Sequence, residues 1–203
     1  MFTGLIREMA EVKNYSGNTL SLRAGHKPKL GDSIAINGAC LSVTQIVSDG
    51  FSVELSPETQ KLIATENLKG KVHMEPAMMM GDRFEGHIVQ GHIDTVGTVQ
   101  EIKNNGNSYD VYIAIDKKFI PYIVPKGSIT IDGVSLTVND VLEDSFRLTI
   151  IPITMKETLF GQYQKGSKVN IETDMFARYI AHFLKHQQKS MSWDEVDHIS
   201  SLY

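Results

Sequence analysis

The sequence predicts a mostly β fold: two tandem, homologous antiparallel barrels followed by one C-terminal α-helix. Three observations predict it. The chain repeats itself, because SIAINGACLSVTQI from Ser33 returns as SITIDGVSLTVNDV from Ser128, with six of the fourteen positions identical. Each copy reads as short strands separated by turn signals. The last stretch, DMFARYIAHFLKH from Asp174, switches to a helical period.

The repeat extends well beyond that stretch. Phe51, Pro57, Thr59 and Lys61 return as Phe146, Pro152, Thr154 and Lys156. Val72 and Glu75 return as Val169 and Glu172, and upstream Gly4, Ile6 and Val12 return as Gly91, Ile93 and Val99. This unit is too long for a solenoid repeat of about 20 to 50 residues. It is a duplicated domain, and two copies of a fold imply two copies of a site. The boundaries read as 1–88 and 89–174 for the two barrels, 175–186 for the helix and 187–203 for a polar tail that includes Trp193.

Within each copy, Asn37-Gly38 and Asp132-Gly133 interrupt an apolar run, the strongest short signal for a two-residue hairpin. Further strands are expected at 19–23, 51–55 and 72–75, then at 95–102, 109–115, 146–151 and 169–173. Short helical stretches begin near Pro57 and Thr154, covering 59–66 and 154–160. About six strands per copy argue for a small closed barrel, which leaves no sheet edge. In the tail helix, Met175, Phe176, Tyr179, Ile180, Phe183 and Leu184 form one apolar stripe, with Asp174 at the N-cap position. That stripe needs a partner surface, and self-association is the simplest.

Composition bounds the partners. The chain has 203 residues, 41% hydrophobic and 22% charged, with a net charge of −4. No basic face points to nucleic acid. No apolar run reaches the roughly 20 residues of a membrane helix, the N-terminus does not read as a signal peptide, and Cys40 is the single cysteine. The cytoplasm is the default expectation. The chain contains neither GxxxxGK[ST] nor GxGxxG.

Alternation after each hairpin turn places Leu41 and Val43 on one face and Cys40 and Ser42 on the other; Leu136 and Val138 oppose Ser135 and Thr137 in the same way. Small polar residues on the outer face suggest a pocket. A free cysteine is often a small buried hydrophobe, yet Cys40 follows a turn, shares a face with Ser42 and replaces Ser135 of the sister copy. His92 in GHIVQGHID suits proton transfer, since histidine titrates near 6.5. His87 and His92 are five apart, which puts them on opposite faces of a strand and makes a poor metal pair. No metal site is expected. Gly86 and Gly91 signal close backbone approach to a ligand or another strand. Met78-Met79-Met80 reads as filler between the two domains.

Together MFTGLI, NGACLSV, GHIVQGHID, KGSITIDGVSLTV, IPITMKETLF and KVNIETDMFARYI closely resemble the riboflavin synthase family of the homotrimeric alpha-chain type, over residues 1–186. The resemblance implies two six-stranded Greek-key barrels and a trimerising helix. It implies transfer of a four-carbon unit between two molecules of 6,7-dimethyl-8-ribityllumazine, giving riboflavin and 5-amino-6-ribitylamino-uracil with no external cofactor. The reacting pair would lie between the N-terminal barrel of one subunit and the C-terminal barrel of its neighbour. By motif, the first pocket would use Cys40, Leu41 and Ser42, then Glu54, Leu55, Ser56, Pro57, Glu58 and Thr59, with Gly91, His92, Ile93 and Lys126. The second would use Ser135, Leu136 and Thr137, then Thr149, Ile150, Ile151, Pro152 and Ile153, with Gly4, Leu5 and Ile6 from a neighbouring chain. Phe2, Thr154, Glu172 and Asp174 are further candidates. His92 is expected to move protons, while Cys40, Ser135 and Thr137 position the ring or add to it. Two departures stand out: Ala39 replaces a larger residue or a second cysteine, and Ile153 replaces a polar one. Lumazine synthase is the family's usual partner, although no docking segment is apparent. The alternative reading is a non-catalytic lumazine- or flavin-binding antenna protein of the same superfamily.

Overall fold

The computed structural model describes residues 1–187. The first barrel closes in the order β1 (Glu8–Ser16), β2 (Thr19–Arg23), β5 (Gly50–Glu54), β4 (Ala39–Val47), β3 (Ser33–Ile36) and β6 (Lys71–Pro76). The second repeats it with β7 (Thr95–Asn104), β8 (Tyr109–Ala114), β11 (Ser145–Ile150), β10 (Val134–Val141), β9 (Ser128–Ile131) and β12 (Lys168–Thr173). All pairings are antiparallel. The strand order is a Greek key, as expected. Short helices α1 (Pro57–Leu62) and α2 (Pro152–Glu157) follow β5 and β11, and α3 (Met175–Gln187) ends the described chain. Both α1 and α2 start two residues before the expected positions, because Pro57 and Pro152 occupy the first helical turn. The polar tail, from residue 188 on, lies outside the described residues. Among those residues no helix is long and apolar enough to cross a membrane.

Closure of six short strands needs local bending, and duplicated bulges supply it. Register slips fall between Val12 and Asn14 and between Val43 and Gln45. They recur between Val99 and Glu101 and between Val138 and Asp140. A bulge adds one residue to one strand and increases its twist, which curls a sheet. The inward side chains fill each barrel. Leu20, Ile34, Ile36, Phe51, Val53 and Val72 pack in the first, and Ile113, Ile129, Ile131, Phe146, Leu148 and Val169 in the second.

The sequence does not predict strand β1, although it predicts its twin β7. Its sequence EMAEVKNYS is rich in residues that strands avoid. Pairing with β2 and β6 overrides that weak preference. A second correction concerns Met78-Met79-Met80. Met79 and Met80 are exposed rather than packed between barrels.

The barrels meet instead across a pseudo-twofold polar seam. The hairpin turns adopt positive φ at both central residues, 44° and 81° for Asn37-Gly38 and 44° and 84° for Asp132-Gly133. The two glycines face each other so closely that a Cβ on Gly38 would stand 2.6 Å from the Gly133 nitrogen. Flanking them, the His73 N–H donates to Asn37 Oδ1 and the Asn170 N–H to Asp132 Oδ1, both at 2.8 Å. Each β6 or β12 side chain then crosses over. Asn170 Nδ2 donates to the Asn37 carbonyl at 2.9 Å, and His73 Nδ1 lies 2.7 Å from the Asp132 carbonyl. A carbonyl only accepts, so Nδ1 carries the His73 proton, and Nε2 accepts from the Leu159 N–H at 2.7 Å. The twin contact is the Ala64 N–H donating to Asn170 Oδ1 at 2.7 Å. Burial keeps His73 neutral, with its pKa lowered to about 4, while the Asp132 carbonyl pulls the other way. Burial raises the fully enclosed Asp132 carboxyl to about 7, against the Tyr163 hydroxyl and Asn170 N–H that donate to it.

These shifts have opposite consequences. Asp132 binds a proton more tightly folded than unfolded, so its contribution is full below about pH 4 and is lost as pH rises towards 7. His73 binds its proton less tightly when folded, so its contribution is lost as pH falls from 6.5 to about 4. Asp132→Asn, which copies Asn37 of the twin turn, removes only the first slope. We expect the stability of this variant relative to the parent to rise between about pH 4 and pH 7 in urea titrations and to level off above that. A difference that stays constant with pH would contradict the assignment.

Candidate functional site

The segments leading into the barrels build the sites. Residues 1–6 precede β1 but lie on the second barrel, where Ile6 joins the core. Residues 87–93 precede β7, and Ile93 joins the core of the first barrel. The two segments pair at their crossing, through reciprocal N–H to carbonyl bonds between Phe2 and Val89 at 2.8 and 3.1 Å.

A buried carboxylate holds each strap. The Thr3 and Gly4 N–H groups donate to Glu75 at 2.8 and 3.0 Å. The Gln90, Gly91 and His92 N–H groups donate to Glu172 at 2.8, 2.8 and 3.1 Å. Burial pushes the Glu172 carboxyl up to about 7, with the Gln90 and Gly91 donors and then Arg178 pulling it down. The strap carbonyls next receive the strand that follows each hairpin. The Cys40 N–H donates to the Gly91 carbonyl at 2.9 Å and the Ser135 N–H to the Gly4 carbonyl at 2.8 Å. Gly91 and Gly4 have φ near +78° and +79°, and a Cβ on either would stand 2.6 Å from the Cβ of Cys40 or Ser135. The close approach signalled by Gly91 is therefore to a strand.

Around Cys40 this arrangement leaves a cavity of about 200 Å³ lined by Ala39, Cys40, Glu58, Thr59, Leu62, Ile63, Gly91, His92 and Ile93. Cys40 and His92 are brought together as the sequence suggested. Leu41 is buried and Ser42 exposed on the opposite face, and Leu55 is buried beneath the exposed Glu54, Ser56, Pro57 and Glu58. Ser56 caps α1, accepting from the Thr59 N–H at 3.0 Å.

At the second barrel, Ser135 and Thr137 face outward beside Gly4, with Leu136 half-buried. The site differs from its twin. Ile151 and Ile153, both more than half exposed, stand where Ser56 and Glu58 stand in the first copy. Leu5 stands where His92 does. The Thr149 hydroxyl is engaged with Asp110 at 2.8 Å and Arg147 at 3.0 Å, Ile150 is buried, and Pro152 and Thr154 belong to α2.

Two expectations need correction. Gly4, Leu5 and Ile6 come from the same chain as Ser135, because the strap folds back on the sister barrel. Phe2 is fully buried against Ala35 and Val89 and supports the straps from beneath, so it offers no surface to a ligand. Lys126 lies on the second barrel, its N–H bonded to the Val138 carbonyl, and does not line the Cys40 cavity of its own chain. Sequence reasoning also missed His87 and Glu75. His87 Nδ1 lies 2.7 Å from Ser135 Oγ. The repeat itself pointed to Glu75, as the twin of Glu172. Among the described residues no cluster of His, Cys, Asp and Glu has the arrangement of a metal site.

The sequence matches the profile of the lumazine binding domain twice, at residues 3–77 and 90–174, one match per barrel. The chain belongs to the lumazine binding domain family. Riboflavin synthase of Actinobacillus pleuropneumoniae is 43% identical over 193 residues, covering 91% of this chain and 90% of that protein. Riboflavin synthase of Bacillus subtilis (strain 168) is 40% identical over 193 residues, with the same shares. Among solved structures, LumP complexed with riboflavin aligns with a TM-score of 0.76 and 26% identity, over 86% of this chain and all of that one.

The tightness of the Gly91 strap is testable against Gly106, which has φ +84° but nothing within 4 Å of an added Cβ. Gly106→Ala should cost only the left-handed backbone penalty of about 1 to 2 kcal/mol. Gly91→Ala should cost at least twice as much in denaturant unfolding, because the Cys40 strand must also move. Equal costs would mean that the strap yields freely.

Proposed function

We propose that this protein is a riboflavin synthase, converting two molecules of 6,7-dimethyl-8-ribityllumazine into riboflavin and 5-amino-6-ribitylamino-uracil. One observation carries the reading: two lumazine-binding sequences on two barrels, each with its hairpin strand closed by a strap from the sister half. A reaction between two identical molecules needs two sites that both recognise the molecule. It also needs the sites to differ, because one molecule gives four carbons and the other takes them. The division into 1–88 and 89–174 belongs to this reading, with one site per half.

The first site is built from Cys40, Ser42, residues 54–59, Gly91 and His92. His92 moves protons to and from the ring system, and Cys40 adds to the ring or holds its position. The second is built from Ser135, Thr137, residues 149–154, Gly4, Leu5 and Ile6, with Ile151 and Ile153 supplying an apolar shelf for the ring. No step requires an oxidant or an external cofactor, since the carbons lost by one ring are gained by the other. Holding both rings in register supplies much of the rate, since good orientation is worth about 7 to 11 kcal/mol.

A homotrimer completes the reading. A cavity of about 200 Å³ is smaller than the roughly 300 to 1,000 Å³ usual for ligand pockets, which favours a site closed by a neighbouring subunit. Lys126 would reach the first site from there. The α3 side chains Phe176, Tyr179, Ile180, Phe183 and Leu184, all more than half exposed, form the surface for that assembly. The single thiol fits a cytoplasmic location. Association with lumazine synthase rests on the family alone.

Incubating the protein with the lumazine should generate riboflavin absorbance with half-stoichiometric yield. Stable lumazine fluorescence with no riboflavin would instead favour a binding protein, to which the LumP likeness lends weight. In single-turnover measurements, Cys40→Ser and His92→Ala should each slow product formation by at least about ten-fold, roughly 1.4 kcal/mol of transition-state stabilisation. Unchanged rates in both would remove them from the mechanism. Phe183→Glu should convert a sedimenting trimer to monomer and lower activity with it; a trimer that survives would place the interface elsewhere.

A further inference from the structure

His87 has no assigned part in the transfer, yet it sits against Ser135 of the second site. Its imidazole is buried, with Nδ1 2.7 Å from Ser135 Oγ and Nε2 3.3 Å from Thr130 Oγ1. Its backbone is fixed too. The His87 N–H donates to the Thr3 carbonyl at 3.1 Å, and Thr3 is held by Glu75 through its own N–H and hydroxyl at 2.8 and 3.0 Å. The preceding Gly86 makes this fit possible, since a Cβ there would stand 2.2 Å from the Thr3 carbonyl oxygen.

The twin position has no such device. Ala35 stands where Thr130 stands, and Cys40 packs against the apolar group of Phe2, Ala35 and Val89. The imidazole–hydroxyl contact is therefore one of the features that make the two copies unlike.

We propose that His87 is a positioning residue that fixes the direction of the Ser135 hydroxyl in the second site, an inference that rests on the riboflavin synthase reading. A free serine hydroxyl rotates among three staggered positions. A neutral imidazole has one donor and one acceptor nitrogen, and the Thr130 hydroxyl can complement either tautomer. With the proton on Nδ1, His87 donates to Ser135 Oγ and Nε2 accepts from Thr130, so Ser135 offers its own proton to the ligand. With the proton on Nε2, Ser135 donates to Nδ1 and presents only lone pairs. Both states lock the rotor, and ordering the hydroxyl before the ligand arrives removes that cost from binding and reaction. Burial favours the neutral ring that this role needs, with Asp174 acting weakly against it.

The test uses the full-length protein and 6,7-dimethyl-8-ribityllumazine. His87→Ala and Ser135→Ala should each lower kcat about ten-fold or more while KM changes by less than about three-fold. Because one residue acts through the other, the double variant should be no slower than the slower single variant. His87→Asn, whose amide occupies the place of Nδ1, should recover at least part of the loss. Multiplying losses in the double variant, a kcat unchanged in His87→Ala, or an effect confined to KM would overturn the proposal. If the alanine forms do not fold, His87→Asn against His87→Leu gives the same comparison, and equal kcat in those two would overturn it. Failure of the parent protein to make riboflavin would instead defeat the underlying reading.

Discussion

Two buried carboxylates, Glu75 and Glu172, hold the molecule's reciprocal exchange together. Each sits on the last strand of its own barrel and accepts backbone N–H groups from the segment that enters that barrel. Each segment then gives a carbonyl to the hairpin strand of the other barrel. Removing one carboxylate would leave two or three N–H groups without partners in a buried place, and each such loss costs about 1 to 3 kcal/mol. It would also release the strap that forms one wall of a site on the opposite domain. The barrels are therefore not two beads on a string. Each one's entry segment is bonded to the hairpin strand of the other.

The seam beneath the straps shows how a duplicated interface tolerates divergence. Asn37 faces His73 and Asp132 faces Asn170 with the same hydrogen-bond pattern, though no member of the set matches its twin. An amide and a neutral imidazole each offer one donor and one acceptor in this geometry, so His73 and Asn170 can exchange roles. The twofold pattern is kept by hydrogen-bond valence and not by residue identity. This is why the seam was invisible in the sequence, where His73 and Asn170 align without resembling one another.

Other features were legible for equally physical reasons. The hairpins could be read because Asn-Gly and Asp-Gly answer a backbone requirement for positive φ that few other pairs meet. Cys40, Ser42, Ser135 and Thr137 could be placed outward because strand alternation is rigid once the inward residues are known. The helix α3 followed from its 3.6-residue period. Strand β1 could not be read, since its two neighbours in the sheet, β2 and β6, supply the pairing that its own composition argues against. The strap exchange was equally hidden. It is a long-range fact, and the repeat locates Gly4 and Gly91 as twins without saying that each crosses to the other copy. His87 reads from its spacing only as a poor metal ligand, because its neighbours in the fold, Ser135 and Thr130, are more than forty residues away in sequence.

The differences between the copies matter as much as their likeness. Two identical pockets would bind two lumazines in identical electronic states, and neither ring would be biased to give or to take. Here the first copy has a thiol, an exposed imidazole and the polar Ser56 and Glu58. The second has hydroxyls, a buried imidazole behind one of them, and the apolar Ile151 and Ile153. The first set can exchange protons with solvent and with a bound ring, whereas the second offers an exposed apolar shelf beside hydroxyls. Under the proposed function, duplication accounts for common recognition, and the few divergent positions around each hairpin are where the two sites differ. The straps bring the divergent residues of one half to the other, His92 beside the Cys40 strand and Leu5 beside the Ser135 strand, each through a backbone bond of the preceding glycine.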